Sequence, residues 1–196
     1  MLHTQIGARP RMAFVLLSAL GFVGVASGTD ADPEFRDEWG RAIQFDEFRG
    51  HPVVATMAYA TCRRACPATV ATLKQLERMV AAEGRTVEFV IVGYDPQNDD
   101  PRAWRDYRAN HGIKGEHWQF LTGTEASTLR FSRRFGFPFW RVDEHVMHKQ
   151  RLVVLDEKGH LVGSDDQLSL AHLRALLQKA EDPGHASTAI TEVAGT

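Results

Sequence analysis

The sequence of 196 residues is poor in sulfur nucleophiles: Cys62 and Cys66 are its two cysteines. A framework of several disulfides is excluded, and any thiol chemistry must run through this one pair. Long basic runs are missing as well. The formal net charge is -2 with Lys and Arg scattered along the chain, which leaves no electrostatic footprint for nucleic acid and argues against such a partner. No apolar stretch reaches the roughly 20 residues of a spanning helix. The run from Met12 to Ala26 covers about 15 residues and is interrupted by Ser18, Gly21 and Gly24. No cysteine follows that run to take a lipid, and no internal repeat points to a stacked architecture.

What is present fits one globular domain, with 43% hydrophobic and 24% charged residues. At the N-terminus, Arg9 and Arg11 precede the apolar run, and the small residues Ala26-Ser27-Gly28 lead into an acidic stretch. This is the pattern of an export signal cleaved near Ser27 or Gly28, with a retained anchor as the alternative. The expected organisation is a signal over 1–28, a linker or entry segment over 29–41, the folded domain over 42–180 and a disordered polar tail over 181–196. Such a protein would work in the periplasm or on the outer face of the cytoplasmic membrane. It would be a monomer, touching the bilayer only if the N-terminal segment is kept. Surroundings of that kind are oxidising, so the two cysteines can form a disulfide unless a reductant or a metal holds them.

The cysteines stand in Thr61-Cys62-Arg63-Arg64-Ala65-Cys66-Pro67. An apolar run, Val53 to Tyr59, precedes them, and Val70, Leu73, Leu76 and Val80 follow at helical spacing, so the pair sits where a strand hands over to a helix. Pro67 suits a first helical turn. Helical positions i and i+4 bring alpha carbons to roughly 6 Å, within reach of a disulfide or of one shared metal ion. Helix N-terminal amides together with Arg63 and Arg64 favour negative charge here, which predicts a depressed thiol pKa and thiolate character. A structural disulfide, or two buried thiols packing as small hydrophobes, is the alternative from spacing alone.

Along the rest of the chain, Trp39 to Phe45 reads as a short hairpin or edge strand, and Thr86 to Tyr94 as a second apolar strand ending at Asp95-Pro96. Strand, helix, strand at this spacing argues for a parallel crossover. Asp99-Asp100-Pro101 opens a helix that runs to His111-Gly112, and Trp118 to Leu121 is a third strand. A helix from Thr124 to Phe135 is stopped by Gly136. Phe137 to His148 shows no clear period and reads as a loop. Leu152 to Leu155 and Leu161 to Gly163 form a hairpin around Asp156-Glu157-Lys158-Gly159, and an amphipathic helix spans about Ser169 to Lys179. The order of elements predicts an α/β, thioredoxin-like fold, a central mixed sheet flanked by helices.

Two thiolates alone can bind a soft cation, and a third ligand would fix the geometry. Of the nine histidines, His51, His111, His117, His160 and His172 fall on turns or polar helix faces and read as solvated. His145 and His148 stand just before the hairpin strand and are the two candidates. Met57, Met79 and Met147 read as core or loop residues, and Trp104, Trp118 and Trp140 as packing residues, with a partner surface as the alternative for Trp140 beside the histidine loop.

Ala58-Tyr59-Ala60-Thr61-Cys62-Arg63-Arg64-Ala65-Cys66-Pro67, Gly93-Tyr94-Asp95-Pro96-Gln97-Asn98-Asp99-Asp100-Pro101, and a histidine ahead of Leu152 to Gly159 together resemble the Sco/SenC family. The likeness runs from about Ile43 to Leu177. It implies a thioredoxin-like copper-binding protein in which Cys62 and Cys66 of the CxxxCP element, with a distant histidine, hold copper as Cu(I) or Cu(II). Delivery to a protein partner such as cytochrome oxidase, or thiol redox work in the same compartment, is the implied role. Counting back from Gly159 selects His148 over His145, although Val146-Met147-His148-Lys149 replaces the family's Asp-His-Ser or Asp-His-Thr. The expected metal ligands are thus Cys62, Cys66 and His148, with Cys62 and Cys66 also a redox-active dithiol. A metallochaperone gated by thiol redox state is the leading reading, and a thiol-disulfide oxidoreductase acting on partner cysteines is the alternative. Asp95 and Asp99 match the family's DPxxD element, but the residues themselves read as a turn at Asp95-Pro96 and a helix cap at Asp99 or Asp100. Between the cysteines, Arg63-Arg64 replaces a less basic pair.

Overall fold

The computed structural model describes residues 34–60, 66–142 and 145–182. The signal reading over 1–28 and nearly all of the tail fall outside these residues. Among the described residues, no helix is long and apolar enough to cross a membrane.

Two short strands open the domain, β1 (Phe35–Asp37) and β2 (Ala42–Ile43), followed by a single 3-10 turn at Phe45–Phe48. The central elements are β3 (Val53–Ala58), α1 (Cys66–Ala82), β4 (Glu88–Gly93), α2 (Pro101–Asn110), β5 (Trp118–Gly123) and α3 (Glu125–Phe135). A hairpin of β6 (Phe139–Val142) and β7 (His145–His148) precedes β8 (Leu152–Leu155), β9 (Leu161–Asp165) and α4 (Leu170–Ala180). Seven strands form one mixed sheet in the order β2-β1-β5-β4-β3-β8-β9, and β6 and β7 pair separately. Strands β3, β4 and β5 are parallel, while β1, β2, β8 and β9 are added antiparallel.

Alternation along the central strands builds a core on each face. Val54, Phe89, Ile91, Trp118, Phe120 and Val154 turn to one side, where α1, α2 and α4 supply Leu73, Leu76, Trp104 and Leu173. Val53, Ala55, Val90, Val92, Leu121 and Val153 turn to the other, against an aromatic cluster of Phe45, Phe131, Phe135 and Phe137. Burial on both faces explains why these strands read as continuous apolar runs. Helix ends follow local chemistry: the Asp100 side chain accepts from the Ala103 amide at 2.7 Å, Thr124 from Ser127, and Gly136 takes the left-handed conformation that ends α3.

Two stretches differ from their sequence reading. The sheet begins within the stretch read as a linker, because β1 pairs with β5 and buries Phe35, Asp37 and Glu38. The stretch from Phe137 to His148, read as a loop, holds the antiparallel β6–β7 pair in the register Phe139↔His148, Trp140↔Met147. Its strands are too short and too mixed in polarity to announce themselves by period.

Candidate metal centre

Strand β3 ends at Ala58 and α1 begins at Cys66, so the cysteine loop joins a central parallel strand to a helix N-terminus. Cys62 lies outside the described residues, and Cys66 is the first residue of α1. A helix N-terminus carries unpaired amides and the positive end of the helix dipole, which favour negative charge.

The ends of three neighbouring strands are tied together by one residue, Asp99, through its carboxylate and its backbone carbonyl. Asp99 is fully buried; its Oδ1 accepts from the Ala60 amide at 2.7 Å and its Oδ2 from the Asp95 amide at 2.8 Å. The Thr122 hydroxyl, at the end of β5, donates to the Asp99 carbonyl. Burial pushes the Asp99 carboxyl up to about 7, against the opposing pull of the Asp95, Ala60 and Tyr94 amides. Gly93 makes room for it: a Cβ at that position would lie 2.8 Å from the Asp99 Cβ and 2.9 Å from Oδ2.

Next to Gly93, Tyr94 donates its amide to the Ala58 carbonyl at 3.0 Å and buries its ring. His148 stacks on that ring with centroids 4.5 Å apart and planes at 26°, and Phe139, its cross-strand partner, meets the same ring edge-on at 5.2 Å. Tyr94 is thus the shelf on which the β6–β7 hairpin rests. His148 is half-buried and lines a small pocket with Met57 and Ala58 of β3 and Thr69 and Val70 of α1. The imidazole therefore stands beside the first turns of the helix that Cys66 begins. His145 opens the same strand, opposite Val142.

The remaining histidines of the domain have other surroundings. His117 pairs with Glu88, His160 with Asp156 and His172 with Asp165. His111 packs on Tyr107, where burial and then Lys74 lower its pKa. Met57 is buried in the core, Met79 is half-buried, and Met147 is exposed opposite the exposed Trp140. Among the described residues, no group of three or more His, Cys, Asp or Glu side chains is placed to hold a metal ion. Cys62, the expected partner of Cys66 and His148, lies outside the described residues.

The family model for SCO1/SenC matches residues 26–180. The chain belongs to the SCO1/SenC family. A curated Sco relative, the SCO1 protein homolog of Bacillus subtilis, is 22% identical over 165 residues, covering 83% of this chain and 84% of its own length. Similar folds include BsSco, a member of the Sco family of cytochrome c oxidase assembly proteins, with 20% identity and a TM-score of 0.66 over 74% of this chain and 89% of that one. ScoI of Bradyrhizobium japonicum, solved with copper bound, gives 18% identity and a TM-score of 0.61 over 74% and 95%. The fold is thus that of Sco proteins, a mixed sheet flanked by helices.

Two residues beside His148 carry more than their sequence reading. Tyr94 read as the end of a strand and Asp99 or Asp100 as the cap; Asp100 caps α2 while Asp99 turns inward. The signal for Asp99 was an acidic pair before Pro101 in which one carboxylate sufficed for the cap.

Proposed function

We propose that this Sco protein binds one copper ion through Cys62, Cys66 and His148 and passes it to a protein partner such as a cytochrome oxidase subunit. The observation that carries the reading is the position of His148, seated on Tyr94 beside the first turns of α1. Thiolates of Cys62 and Cys66 supply soft, charged donors, and the His148 imidazole adds a neutral nitrogen that makes both Cu(I) and Cu(II) tolerable. Bound copper supplies the cargo that the partner needs.

Arg63 and Arg64, between the sulfurs, offset the charge of two thiolates. Only the reduced dithiol ligates. Exchange with a partner disulfide oxidises Cys62 and Cys66 to a disulfide, reduces the partner to two thiols, and withdraws the ligand pair. Redox state then gates delivery. Export to the periplasm or the outer face of the cytoplasmic membrane belongs to the same reading.

The test uses reduced protein under anaerobic conditions. It competes with a chromogenic chelator for Cu(I), and Cys62→Ser loses that ability. Absorption and electron paramagnetic resonance spectra of copper-loaded His148→Ala lose the thiolate-to-copper signature, whereas His145→Ala keeps it. Normal Cu(I) binding by Cys62→Ser would end the proposal. A thiol-disulfide oxidoreductase is the second reading, favoured by a cysteine at a helix start in a thioredoxin-like fold. It predicts turnover on a disulfide substrate that survives both copper removal and His148→Ala.

A further inference from the structure

We propose that Asp99 is the positioning residue of the site, a single carboxylate that fixes the entrance of the cysteine loop and the shelf under His148 to one reference, so that both halves move together. The proposal rests on the ligand reading above for its consequence in copper binding, but its geometry stands without metal. One oxygen of Asp99 holds the Ala60 amide, two residues before Cys62, and the other holds the Asp95 amide, next to Tyr94. Tyr94 is in turn hydrogen-bonded to Ala58 and stacked on His148. Two unrelated segments, one leading into a sulfur and one lying under an imidazole, therefore meet at adjacent atoms of the same side chain.

A mere cap or turn residue would not be built this way. Asp100 already caps α2 and Asn98 already closes the Asp95 turn, donating its amide to Asp95 Oδ2 at 2.6 Å. Asp99 is instead buried against Gly93, where any side chain would displace it, and its carbonyl is held from β5 by Thr122. A buried carboxylate is costly and is retained only where its acceptors are used. Here both oxygens are used, one on each half of the site. A residue that orients others in this manner typically changes metal affinity by about 10- to 100-fold when removed.

Asp99→Asn tests the assignment, since the amide nitrogen cannot accept from the donor it would face. Three quantities are read on the full protein. The first is the pH profile of iodoacetamide alkylation of Cys62 and Cys66. The second is the set of His148 ring-proton shifts, which report the Tyr94 ring current. The third is Cu(I) affinity by chelator competition. Glu38→Gln, a buried ion-pair variant on the β1 side of the sheet, serves as the control for lost stability alone.

Asp99→Asn is expected to move the alkylation profile and the His148 shifts together and to weaken Cu(I) binding by about tenfold or more, while Glu38→Gln moves none of them. A folded Asp99→Asn protein in which either metal-free quantity stays at the wild-type value overturns the proposal, as does a Glu38→Gln protein that reproduces both changes. If the wild type binds no Cu(I), the copper reading fails, and the two metal-free quantities still decide the role of Asp99. Should Asp99→Asn not fold, Thr122→Val removes only the hydroxyl that holds the Asp99 carbonyl. It must then move both metal-free quantities in the same sense, or the proposal falls.

Discussion

At the level of a single residue, Asp99 adds a pH-dependent contribution to the stability of the domain. Its folded pKa of about 7 lies above the ordinary value of 3.8, mainly because burial disfavours the charged form. A carboxyl raised in this way binds its proton more tightly in the folded state than in the unfolded one. Its contribution to stability is therefore complete below about pH 4 and is lost as the pH rises through about 7. The unfolding free energy of the wild type should fall relative to Asp99→Asn across that window, with a slope approaching about 1.4 kcal/mol per pH unit. Urea titrations of both proteins at pH 4, 5.5 and 7 measure the difference, and parallel curves would rule the shift out. Gly93→Ala probes the same contact sterically. The added methyl meets the Asp99 Cβ, which is fixed to the backbone and cannot swing away, so the expected cost is about 1–3 kcal/mol in thermal or urea unfolding.

Among the elements, the β6–β7 hairpin carries His148 yet has little to hold it in isolation. A lone pair of four-residue strands is marginal in water. What fixes it is Tyr94, which takes Phe139 edge-on and His148 face-on from paired positions. Aromatic contacts of this kind are worth about 0.5–1.5 kcal/mol each. Phe139→Ala should raise amide hydrogen exchange in β6 and β7 several-fold, leave the exchange of β3 and β4 unchanged, and weaken Cu(I) binding without abolishing it. Uniformly faster exchange across the sheet would show that Phe139 serves the core and not the hairpin. The same elements show what the sequence could reveal. Strands β3 and β4 and helices α2 and α3 were legible because period, caps and stop residues agree within each segment. Phe137 to His148 was not, because its register comes from docking on Tyr94, a residue more than 40 positions earlier, and no local pattern encodes that contact. His148 is preferred to His145 by its interval before the Asp-x-x-Gly turn, which the resemblance to the family supplies and no local pattern does.

For the whole molecule, the decisive feature is how far the folded body extends toward the N-terminus. Composition placed a linker or entry segment over 29–41 because that stretch is acidic and turn-rich, and composition cannot register a buried ion pair. Glu38 is nearly inaccessible and binds Arg108 of α2 at 2.8 Å, while its other oxygen accepts from the Phe120 amide of β5 at 3.2 Å. Arg108 also donates to the carbonyls of Gly115 and Trp118, so a single cation gathers β1, α2 and the approach to β5. Breaking a buried pair by removing one partner leaves the other charge unpaired and costs about 3–5 kcal/mol. Glu38→Ala should therefore lower the urea midpoint sharply at unchanged slope, with thiol alkylation and Cu(I) affinity of the folded fraction at wild-type values. A chain beginning at residue 42 loses Phe35, Asp37 and Glu38 together and should expose the β5 edge, whereas one beginning at residue 32 should unfold with the wild-type midpoint. Equal midpoints for the chains beginning at 32 and 42 would return β1 to the status of a linker.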